Sequence, residues 1–356
     1  MLYTINKNYW KNKKVFVTGH TGFKGSWLCI FLTYLGAEVT GYSLEPKTKP
    51  NLFHLANIKS IIKKSVISDI RNYNKLYKEI KKSNATILFH LAAQPLVRYS
   101  YTEPKETFDT NFSGSLNLLE CIRKIKKVKT SIIITTDKVY DPSKNKIYKE
   151  TDALGGLDPY SSSKVCVEFL FSSYVKSFFQ KSKNQKLATV RAGNVIGGGD
   201  YSEDRLIPDI YRFSKKKLNI FLRNPLSIRP WQHVLEPLGG YLKLAEKLHD
   251  KNIKNLRPNW NFGPNISSCK PVKYVADYFA KSLNLKVTSQ SLNKNNFTPE
   301  TSILRLSNHK SKKYINWSPK WSLDTSLNKI VEWNKNVKNK NCLDICINQV
   351  KEYIAS

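Results

Sequence analysis

The sequence predicts an α/β fold in which a doubly wound parallel sheet is followed by a smaller C-terminal region. Residues 14–190 alternate short β-branched runs with longer amphipathic segments, a rhythm typical of successive βαβ units. A glycine-rich turn follows the first of these runs. After Arg191 the alternation gives way to a stretch punctuated by proline and glycine, which indicates a second, less regular region.

The predicted elements follow from this pattern in chain order. The strands are short and apolar, as buried parallel strands are, and the helices carry apolar residues at helical spacing. We predict strands at 15–18, 38–41, 64–67, 86–90, 131–135 and 187–190, and helices at 26–35, 72–82, 107–125 and 161–179. Residues 1–193, rejoined by 229–258, are assigned to the first domain, and residues 194–228 and 259–356 to the second.

Composition excludes several classes of protein. The 356 residues are 40% hydrophobic and 24% charged, which is ordinary for a globular chain and excludes a disordered or collagen-like one. There are 59 Lys and Arg against 27 Asp and Glu, a formal net charge of +32, but the lysines are scattered and no nucleic-acid-binding motif accompanies them. Six cysteines without metal-ligand spacing, no signal peptide and no long apolar run predict a cytoplasmic protein with no metal and no membrane contact.

The turn after the first strand is the strongest local motif. Glycines at 19, 22 and 25 form GxxGxxG between a predicted strand and a predicted helix. Such a turn brings backbone N–H groups and the positive end of the helix dipole to a pyrophosphate, so the fold is predicted to be of the Rossmann type. The residues assigned to cofactor binding here are Gly19, Thr21, Gly22, Phe23, Lys24 and Gly25.

The identity of the dinucleotide depends on the end of the second strand. A carboxylate there usually holds the adenosine ribose, whereas an arginine accommodates the 2′-phosphate of NADP. Residues 41–43 offer neither, and Glu45 is a displaced candidate. NAD is therefore predicted in preference to NADP.

Two further motifs carry candidate catalytic groups. Tyr160 and Lys164 are four residues apart at the start of a predicted helix, which places both side chains on one face, where the ammonium favours the phenolate. Thr136, Asp137 and Lys138 follow a buried strand, at the sheet edge where ligands of such folds bind. Thr136 is a candidate hydrogen-bond donor, and Asp137 beside Lys138 combines an acid with a base.

Taken together, these motifs resemble the extended short-chain dehydrogenase/reductase superfamily over nearly the whole chain. The resemblance adds Asp69-Ile70, Leu91-Ala92-Ala93-Gln94, Asn111, Tyr160 and Lys164 to the expected cofactor site. Within the superfamily, the segments GHTGFKGSW, HLAAQPLVRYSY, TTDKVYD and RPWQHV resemble the branch of the hexose 4,6-dehydratases that acts on CDP-glucose. Other hexose 4,6-dehydratases carry Asp-Glu where this chain has Asp137-Lys138.

The resemblance implies a NAD-dependent hydro-lyase that converts CDP-glucose to CDP-4-keto-6-deoxy-glucose, in the deoxysugar biosynthesis that serves lipopolysaccharide O-antigen. Tyr160, Lys164 and Thr136 would support oxidation at C4. Asp137 would protonate the departing C6 hydroxyl, and Lys138 would be the C5 base or a cation that stabilises the C4 enolate. Hydride return to C6 would complete the cycle.

Substrate contacts and assembly complete these expectations. Arg205 and Arg229 are candidates for the substrate diphosphate, with Asn194 reaching the phosphate or the sugar. The helices predicted at 107–125 and 161–179 would form a homodimer, as in related enzymes. The alternatives are a dTDP- or GDP-hexose dehydratase, a UDP-hexose 4-epimerase, or a basic nucleic-acid-binding protein on an inactive Rossmann scaffold.

Overall fold

The computed structural model describes residues 4–142, 146–250, 256–288 and 303–356. Within these ranges a seven-stranded, wholly parallel sheet forms the centre of the molecule, in the order β10-β6-β5-β4-β1-β2-β3. Its strands are β1 (Lys14–Thr18), β2 (Glu38–Ser43), β3 (Lys64–Ile67), β4 (Ile87–His90), β5 (Thr130–Ile134), β6 (Lys186–Ala192) and β10 (Asn259–Phe262). Smaller sheets contain β7 (Asn194–Ile196), β8 (Ile220–Phe221), β9 (Ile228–His233), β11 (Cys269–Pro271) and β12 (Val287–Thr288).

The helices of the described residues cover both faces of the large sheet and the smaller region. They are α1 (Lys7–Trp10), α2 (Phe23–Tyr34), α3 (Leu52–Leu55), α4 (Ile58–Ile61), α5 (Tyr73–Ser83), α6 (Val97–Thr102), α7 (Pro104–Phe108), α8 (Gly114–Lys124), α9 (Pro159–Tyr174), α10 (Leu206–Lys215), α11 (Leu235–Lys247), α12 (Val272–Leu283), α13 (His309–Ile315), α14 (Leu323–Asn336) and α15 (Cys342–Ala355). Asp109–Ser113 and Val175–Phe179 are π-helical turns that join α7 to α8 and extend α9.

Alternating side chains divide the core into two layers. Val15 and Val17 of β1 face a layer that contains Trp10, Trp27 and Trp260, whereas Phe16 between them faces the layer formed with α5, α8 and α9. This alternation is what a strand with both faces buried requires. The two apolar layers therefore fix the strand register, and with it the groups at the strand ends.

The chain reverses its direction of winding between β1 and β4. From β1 it proceeds outward to β2 and β3, then crosses back and proceeds from β4 to β5 and β6. The adjacent strands β1 and β4 consequently lead into loops that diverge to opposite sides. In open α/β sheets the crevice at the carboxyl ends of such strands is the usual ligand site.

The smaller region lies between β6 and β10 in the sequence and continues after β10. A three-stranded sheet, β11-β9-β7, and a two-stranded sheet, β12-β8, surround a separate apolar cluster that includes Ile210, Trp231 and Phe279. The strand β10 is the edge of the large sheet, so residues 259–262 lie outside the smaller region to which the sequence analysis assigned them. Helix α15 likewise packs against α2, with its Tyr353 ring 6.2 Å from that of Phe31. The two-domain division itself stays a prediction.

The predicted fold class is confirmed. All six predicted strands are present within two residues of their expected bounds. Five of them are largely buried runs, whereas β3, at the edge of the sheet, buries only Val66. The seventh strand was missed: Asn259–Phe262 directly follows Pro258, and two of its four residues are asparagine, so it lacks the β-branched apolar run that marks the other strands. Each of the predicted helices 107–125 and 161–179 is interrupted by a π-helical turn.

Candidate active site

The turn after β1 is built by close backbone contacts. Gly19 has a φ of +76°, and a Cβ there would lie 2.6 Å from the backbone nitrogen of Ala92. A Cβ on Gly25 would lie 1.9 Å from the carbonyl oxygen of Gly19. Both positions therefore exclude any side chain, which lets β1 turn sharply and lets α2 begin directly against the sheet edge.

The N-terminus of α2 fits the pyrophosphate of a dinucleotide. Its N-cap is Gly22, which supplies no side-chain hydrogen bond, so the first N–H groups of the helix have no side-chain cap. A Cβ on Gly22 would meet nothing closer than 3.5 Å, so this side of the turn is open. Phe23 lies next to Gly197, where an added Cβ would be 3.0 Å from its ring. An uncapped helix end beside an open glycine is what an anion needs.

The adenosine end of the site is occupied by hydroxyl groups. Thr21 donates to the carbonyl of Leu44 at 2.8 Å, and its hydroxyl lies 2.9 Å from that of Ser43. Glu45, the displaced ribose candidate, is exposed. The ring of His20 lies against β2, and a Cβ on Gly41 would be 2.3 Å from it. The strand end therefore carries glycine and serine where a carboxylate is usual.

The predicted adenine contact lies at the next strand end. Asp69 and Ile70 follow β3, with Ile70 buried. The carboxylate of Asp69 accepts hydrogen bonds from the guanidinium of Arg71 at 2.6 and 3.0 Å. The side-chain hydrogen bonds from Arg71 hold the pKa of Asp69 below its usual range, although partial burial acts to raise it.

The segment after β4 is held by two hydrogen-bond networks. Leu91 and Ala92 donate from the backbone to the carbonyl and hydroxyl of Thr18, at 3.1 and 3.2 Å. Asn111 accepts from the backbone of Gln94 at 2.8 Å and donates to its carbonyl at 3.1 Å. Ala93 lies between these anchors and is half-buried. The segment is thus rigid beside the glycine-rich turn.

Helix α9 brings the Tyr-Lys pair to the same crevice. Asp158 caps the helix, and Ser100 accepts from the backbone of Tyr160 at 3.1 Å. Lys164 donates to the carbonyl of Ile134, the last residue of β5, at 3.4 Å. Burial lowers the pKa of Lys164 to about 8. Burial also raises the pKa of Tyr160 to about 12, and a hydrogen bond with Thr136 opposes that rise.

The raised pKa of Tyr160 differs from the lowering that the sequence led us to expect. The phenolate is charged and the phenol is neutral, so removing Tyr160 from water favours the protonated form more than the surrounding protein favours the phenolate. A bound oxidised nicotinamide would supply a further cation that opposes this rise.

Thr136 and Asp137 follow β5 directly opposite this pair. The hydroxyl of Thr136 donates to Oδ1 of Asp137 at 3.2 Å, while Oδ2 is buried and makes no hydrogen bond within the described residues. Burial raises the pKa of Asp137 to about 6, with the charges of Lys138 and Arg229 opposing. Asp137 is therefore suited to donate a proton near neutral pH.

Lys138 and Arg229 line one cavity with Ser161. Lys138 is half-buried, and its backbone N–H lies 3.4 Å from the hydroxyl of Thr136. Arg229 is 6% exposed and lies in β9 of the smaller region. The cavity thus joins the end of β5, the start of α9 and the smaller region.

The remaining predicted substrate contacts lie on the smaller region. Asn194 is the first residue of β7 and pairs with Trp231. Arg205 donates to Asp200 at 3.1 Å, and its charge acts on both Tyr160 and Lys24. The structure therefore brings Arg205 to the catalytic groups, while Asp69 lies at the distant edge of the sheet.

Two sets of contacts were not recognised from the sequence, although Lys24 itself was assigned to cofactor binding. Lys24 lies 3.4 Å from the hydroxyl of Tyr241, and burial lowers the pKa of Lys24 to about 7, aided by the charges of Arg205 and Lys164. The other set is a buried ion pair between Glu168 and Arg191. Its signal is the continuation of the motif to Tyr-x3-Lys-x3-Glu, which places the glutamate on the same helix face.

The described parts of the chain show neither a candidate metal centre nor a candidate membrane span. No group of three His, Cys, Asp or Glu side chains is arranged to hold a metal ion among these residues. None of the helices in the same ranges is long and apolar enough to cross a bilayer.

Comparison of the sequence with known proteins assigns it to a family. Residues 16–330 match the model of GDP-mannose 4,6 dehydratase. The chain belongs to the GDP-mannose 4,6 dehydratase family. A member of these nucleotide-sugar dehydratases, CDP-glucose 4,6-dehydratase of Salmonella typhimurium, is 42% identical over 359 aligned positions, which cover 99% of each chain.

Solved structures of this fold extend the comparison. The dTDP-glucose 4,6-dehydratase of Bacillus anthracis, solved in complex with NAD, has a TM-score of 0.75 and 22% identity, covering 94% of this chain and 99% of its own. The UDP-glucose 4-epimerase of Thermotoga maritima has a TM-score of 0.77 and 21% identity, covering 91% and 99%. The predictions of the superfamily and of a dehydratase are confirmed at the level of the family, and the solved dehydratase of this fold binds the predicted cofactor, NAD.

Proposed function

We propose that this dehydratase converts CDP-glucose to CDP-4-keto-6-deoxy-glucose with NAD as its cofactor. The relative with 42% identity is named for CDP-glucose, and it covers the whole chain. Asp137 is the observation that carries the proposal. It is a buried acid with its pKa raised to about 6, held by Thr136 and followed by Lys138 at the end of β5.

Tyr160 serves the oxidation of C4. When bound, NAD would supply the hydride acceptor for C4 and the hydride donor for C6, with a proton returned to C5 as the hydride reaches C6. Tyr160 takes the C4 hydroxyl proton, and Thr136, which hydrogen-bonds the phenol, orients it. Lys164 contributes a buried cation one helical turn away, which favours the phenolate.

Asp137 and Lys138 serve the elimination of water. Oxidation at C4 makes the C5 proton acidic, so loss of that proton and of the C6 hydroxyl yields water and a C5–C6 double bond. Asp137 gives its proton to the departing hydroxyl, which its raised pKa allows. Lys138 acts on the C5 side, as the base or as the cation that stabilises the C4 enolate.

Arginines of the smaller region bind the diphosphate. Arg229 is nearly buried and lines the cavity beside Lys138, and Arg205 acts from α10's N-terminal side. Guanidinium groups match phosphate oxygens in pairs. Asn194, in the strand next to that of Arg229, is assigned to the phosphate or the sugar.

A substrate panel tests the function. The purified protein is incubated with CDP-, dTDP-, GDP- and UDP-glucose and with GDP-mannose, and the alkaline absorbance of a 4-keto product is followed. Product from CDP-glucose without net release of NADH is expected. Turnover of another nucleotide sugar and none of CDP-glucose would overturn the substrate assignment and leave the family intact.

A homodimer through α8 and α9 belongs to the same proposal, as does a cytoplasmic role in deoxysugar formation for O-antigen. Phe169 in α9 is 60% exposed, and Phe178 in the π-helical turn that follows is 51% exposed. Exposed apolar side chains on α9 and its extension, beside α8, suit a two-fold contact. Light scattering of the protein and of a Phe169→Glu variant tests it, with a dimer and a monomer as the respective expected states.

A further inference from the structure

A buried carboxylate lies one helical turn beyond the Tyr-Lys pair. Glu168 has 1% of its side chain exposed and follows Lys164 by four residues in α9. Tyr160, Lys164 and Glu168 therefore lie on one helix face. The side chain of Glu168 reaches residues of three neighbouring strand segments, β5, β6 and β10.

The hydrogen bonds of Glu168 connect α9 to the sheet. Its Oε1 accepts from Arg191 at 2.8 Å and from Thr135 at 2.6 Å. Its Oε2 accepts from Thr189 at 3.0 Å and from Asn259 at 2.8 Å. These four donors lie at the end of β5 and in β6 and β10, so the carboxylate holds the helix that carries Tyr160 against the strand end that carries Thr136.

The buried cluster around Glu168 holds more cations than carboxylates. Arg191 pairs with Glu168, donates to the hydroxyl of Tyr140 at 2.8 Å and lies 4.9 Å from the centre of that ring. Lys164 is a second buried cation on the same side of the sheet. Two cations thus share one carboxylate, and loss of that carboxylate leaves both without the nearby negative charge.

We propose that Glu168 is a positioning residue of the dehydratase, which fixes α9 on the strand ends and keeps Lys164 in its protonated form. The proposal rests on the proposed roles of Tyr160 and Lys164. Burial lowers the pKa of Lys164 to about 8, and the negative charge of Glu168 opposes this lowering. The cationic lysine is the form that favours a phenolate at Tyr160.

Charged and titratable groups face Lys164 from every surrounding element. Burial, together with the positive charge of Lys164, lowers the pKa of His90 of β4 to about 3. The His90 ring therefore stays neutral. Lys24 of α2 and Arg191 of β6 are the neighbouring cations. Glu168 is the group among these whose charge raises the pKa of Lys164.

The test compares two variants that break the same ion pair. Glu168→Gln removes the carboxylate, and Arg191→Met removes its partner but leaves the carboxylate beside Lys164. For each variant, kcat with CDP-glucose is measured from pH 6 to pH 10, together with KM and the circular dichroism spectrum. We expect Glu168→Gln to move the alkaline limb of kcat down by roughly one pH unit, with KM little changed. Arg191→Met, which removes a neighbouring cation and keeps the carboxylate, should leave the limb in place or move it up.

The outcomes separate this proposal from the proposed function. If the wild-type protein makes no product from CDP-glucose, the proposed function fails at that point. If the wild type is active, and the alkaline limb of kcat is unchanged in both variants or shifted equally in both, Glu168 has a purely structural role. The proposal is then overturned. Should Glu168→Gln not fold, the double variant Glu168→Gln/Arg191→Met removes the whole ion pair. The alkaline limb of its kcat must still move down.

Discussion

The two halves of the crevice are built by different physical means. Around the glycine-rich turn, the structure depends on shape, because backbone atoms at Gly19 and Gly25 approach so closely that a Cβ has no room. Around α9 and the end of β5, it depends on buried charge, because Asp137, Lys164 and the pair Glu168–Arg191 lie within the protein.

The difference shows what each half does. A cofactor that is recovered in every cycle needs a surface that fits and holds it, and glycines with helix N–H groups supply one. Proton transfers need groups whose pKa values differ from those in water, and burial supplies these. We therefore expect substitutions in the two halves to fail in different ways: changes in the first impair folding and binding, and changes in the second impair turnover.

The largest effect is expected for Tyr160→Phe. Loss of the phenol oxygen removes the group that takes the C4 proton, so kcat should fall by about 10²- to 10⁴-fold, while NAD binding and the unfolding temperature stay close to wild type. Steady-state kinetics, calorimetric NAD titration and thermal unfolding measure these quantities. Tyr274→Phe, which loses a hydroxyl bond to Asp324 on the smaller region, is the matched control. Equal kcat in both variants would contradict the role of Tyr160.

Gly25→Ala is expected to show the opposite pattern. The added methyl would lie 1.9 Å from the Gly19 carbonyl and 2.8 Å from the Cα of His20, so the backbone must move. We expect a loss of about 1–3 kcal/mol in the free energy of unfolding, and weaker NAD binding. Urea unfolding tests this.

Gly22→Ala is the control for stability, because its added Cβ makes no contact under 3.5 Å. Its free energy of unfolding should be unchanged or raised by less than about 1 kcal/mol. Equal destabilisation by the two substitutions would show that the turn does not depend on close packing at Gly25.

Acid should destabilise the protein through its buried histidines. Burial lowers the pKa of His20 to about 4 and those of His90 and His233 to about 3. The unfolded chain takes up protons around and below about pH 6.5 while these folded rings stay neutral, so each histidine lowers the free energy of unfolding with a slope that approaches about 1.4 kcal/mol per pH unit near pH 5. Asp137 and Glu236 oppose part of this slope, because burial raises their pKa values to about 6 and about 7. Urea unfolding at pH 7, 6 and 5 measures the slope. His233→Gln should reduce it by one histidine's share, and an unchanged slope would contradict this account.

The smallest effect is expected at the ribose end. Ser43→Ala removes the hydroxyl that lies 2.9 Å from that of Thr21, while the bond from Thr21 to the Leu44 carbonyl remains. We expect a loss of about 0.5–1.5 kcal/mol in the free energy of unfolding. Thr21→Ser, which keeps both hydroxyl contacts, should lose less than Ser43→Ala. A larger loss for Thr21→Ser would indicate that the methyl group of Thr21, not the hydroxyl contact, stabilises this turn.

The sequence allowed the sheet, and the grouping of several candidate site residues at its edge, to be predicted because both depend on local patterns. The turn at 19–25 and the pair Tyr160–Lys164 are separated by a few residues whose geometry a helix or a tight turn dictates. The ion pair of Glu168 with Arg191, its bond from Asn259 and the contact of Lys24 with Tyr241 join residues 23 to 217 positions apart. Partners at such distances follow from the packing of whole elements, which periodicity does not contain. The raised pKa of Tyr160 was missed for the same reason, since burial depends on all the surrounding elements.

The strand β10 has a consequence for how the protein is made. Asn259 and Asn261 of this strand complete the hydrogen bonds of Glu168 and of Tyr140, although some 90 and 120 residues separate each pair. During synthesis on the ribosome, a nascent chain that ends before Phe262 therefore holds its catalytic helix against an unfinished sheet. The crevice can be completed only after the part of the smaller region between β6 and β10 has been translated and β10 itself has left the ribosome.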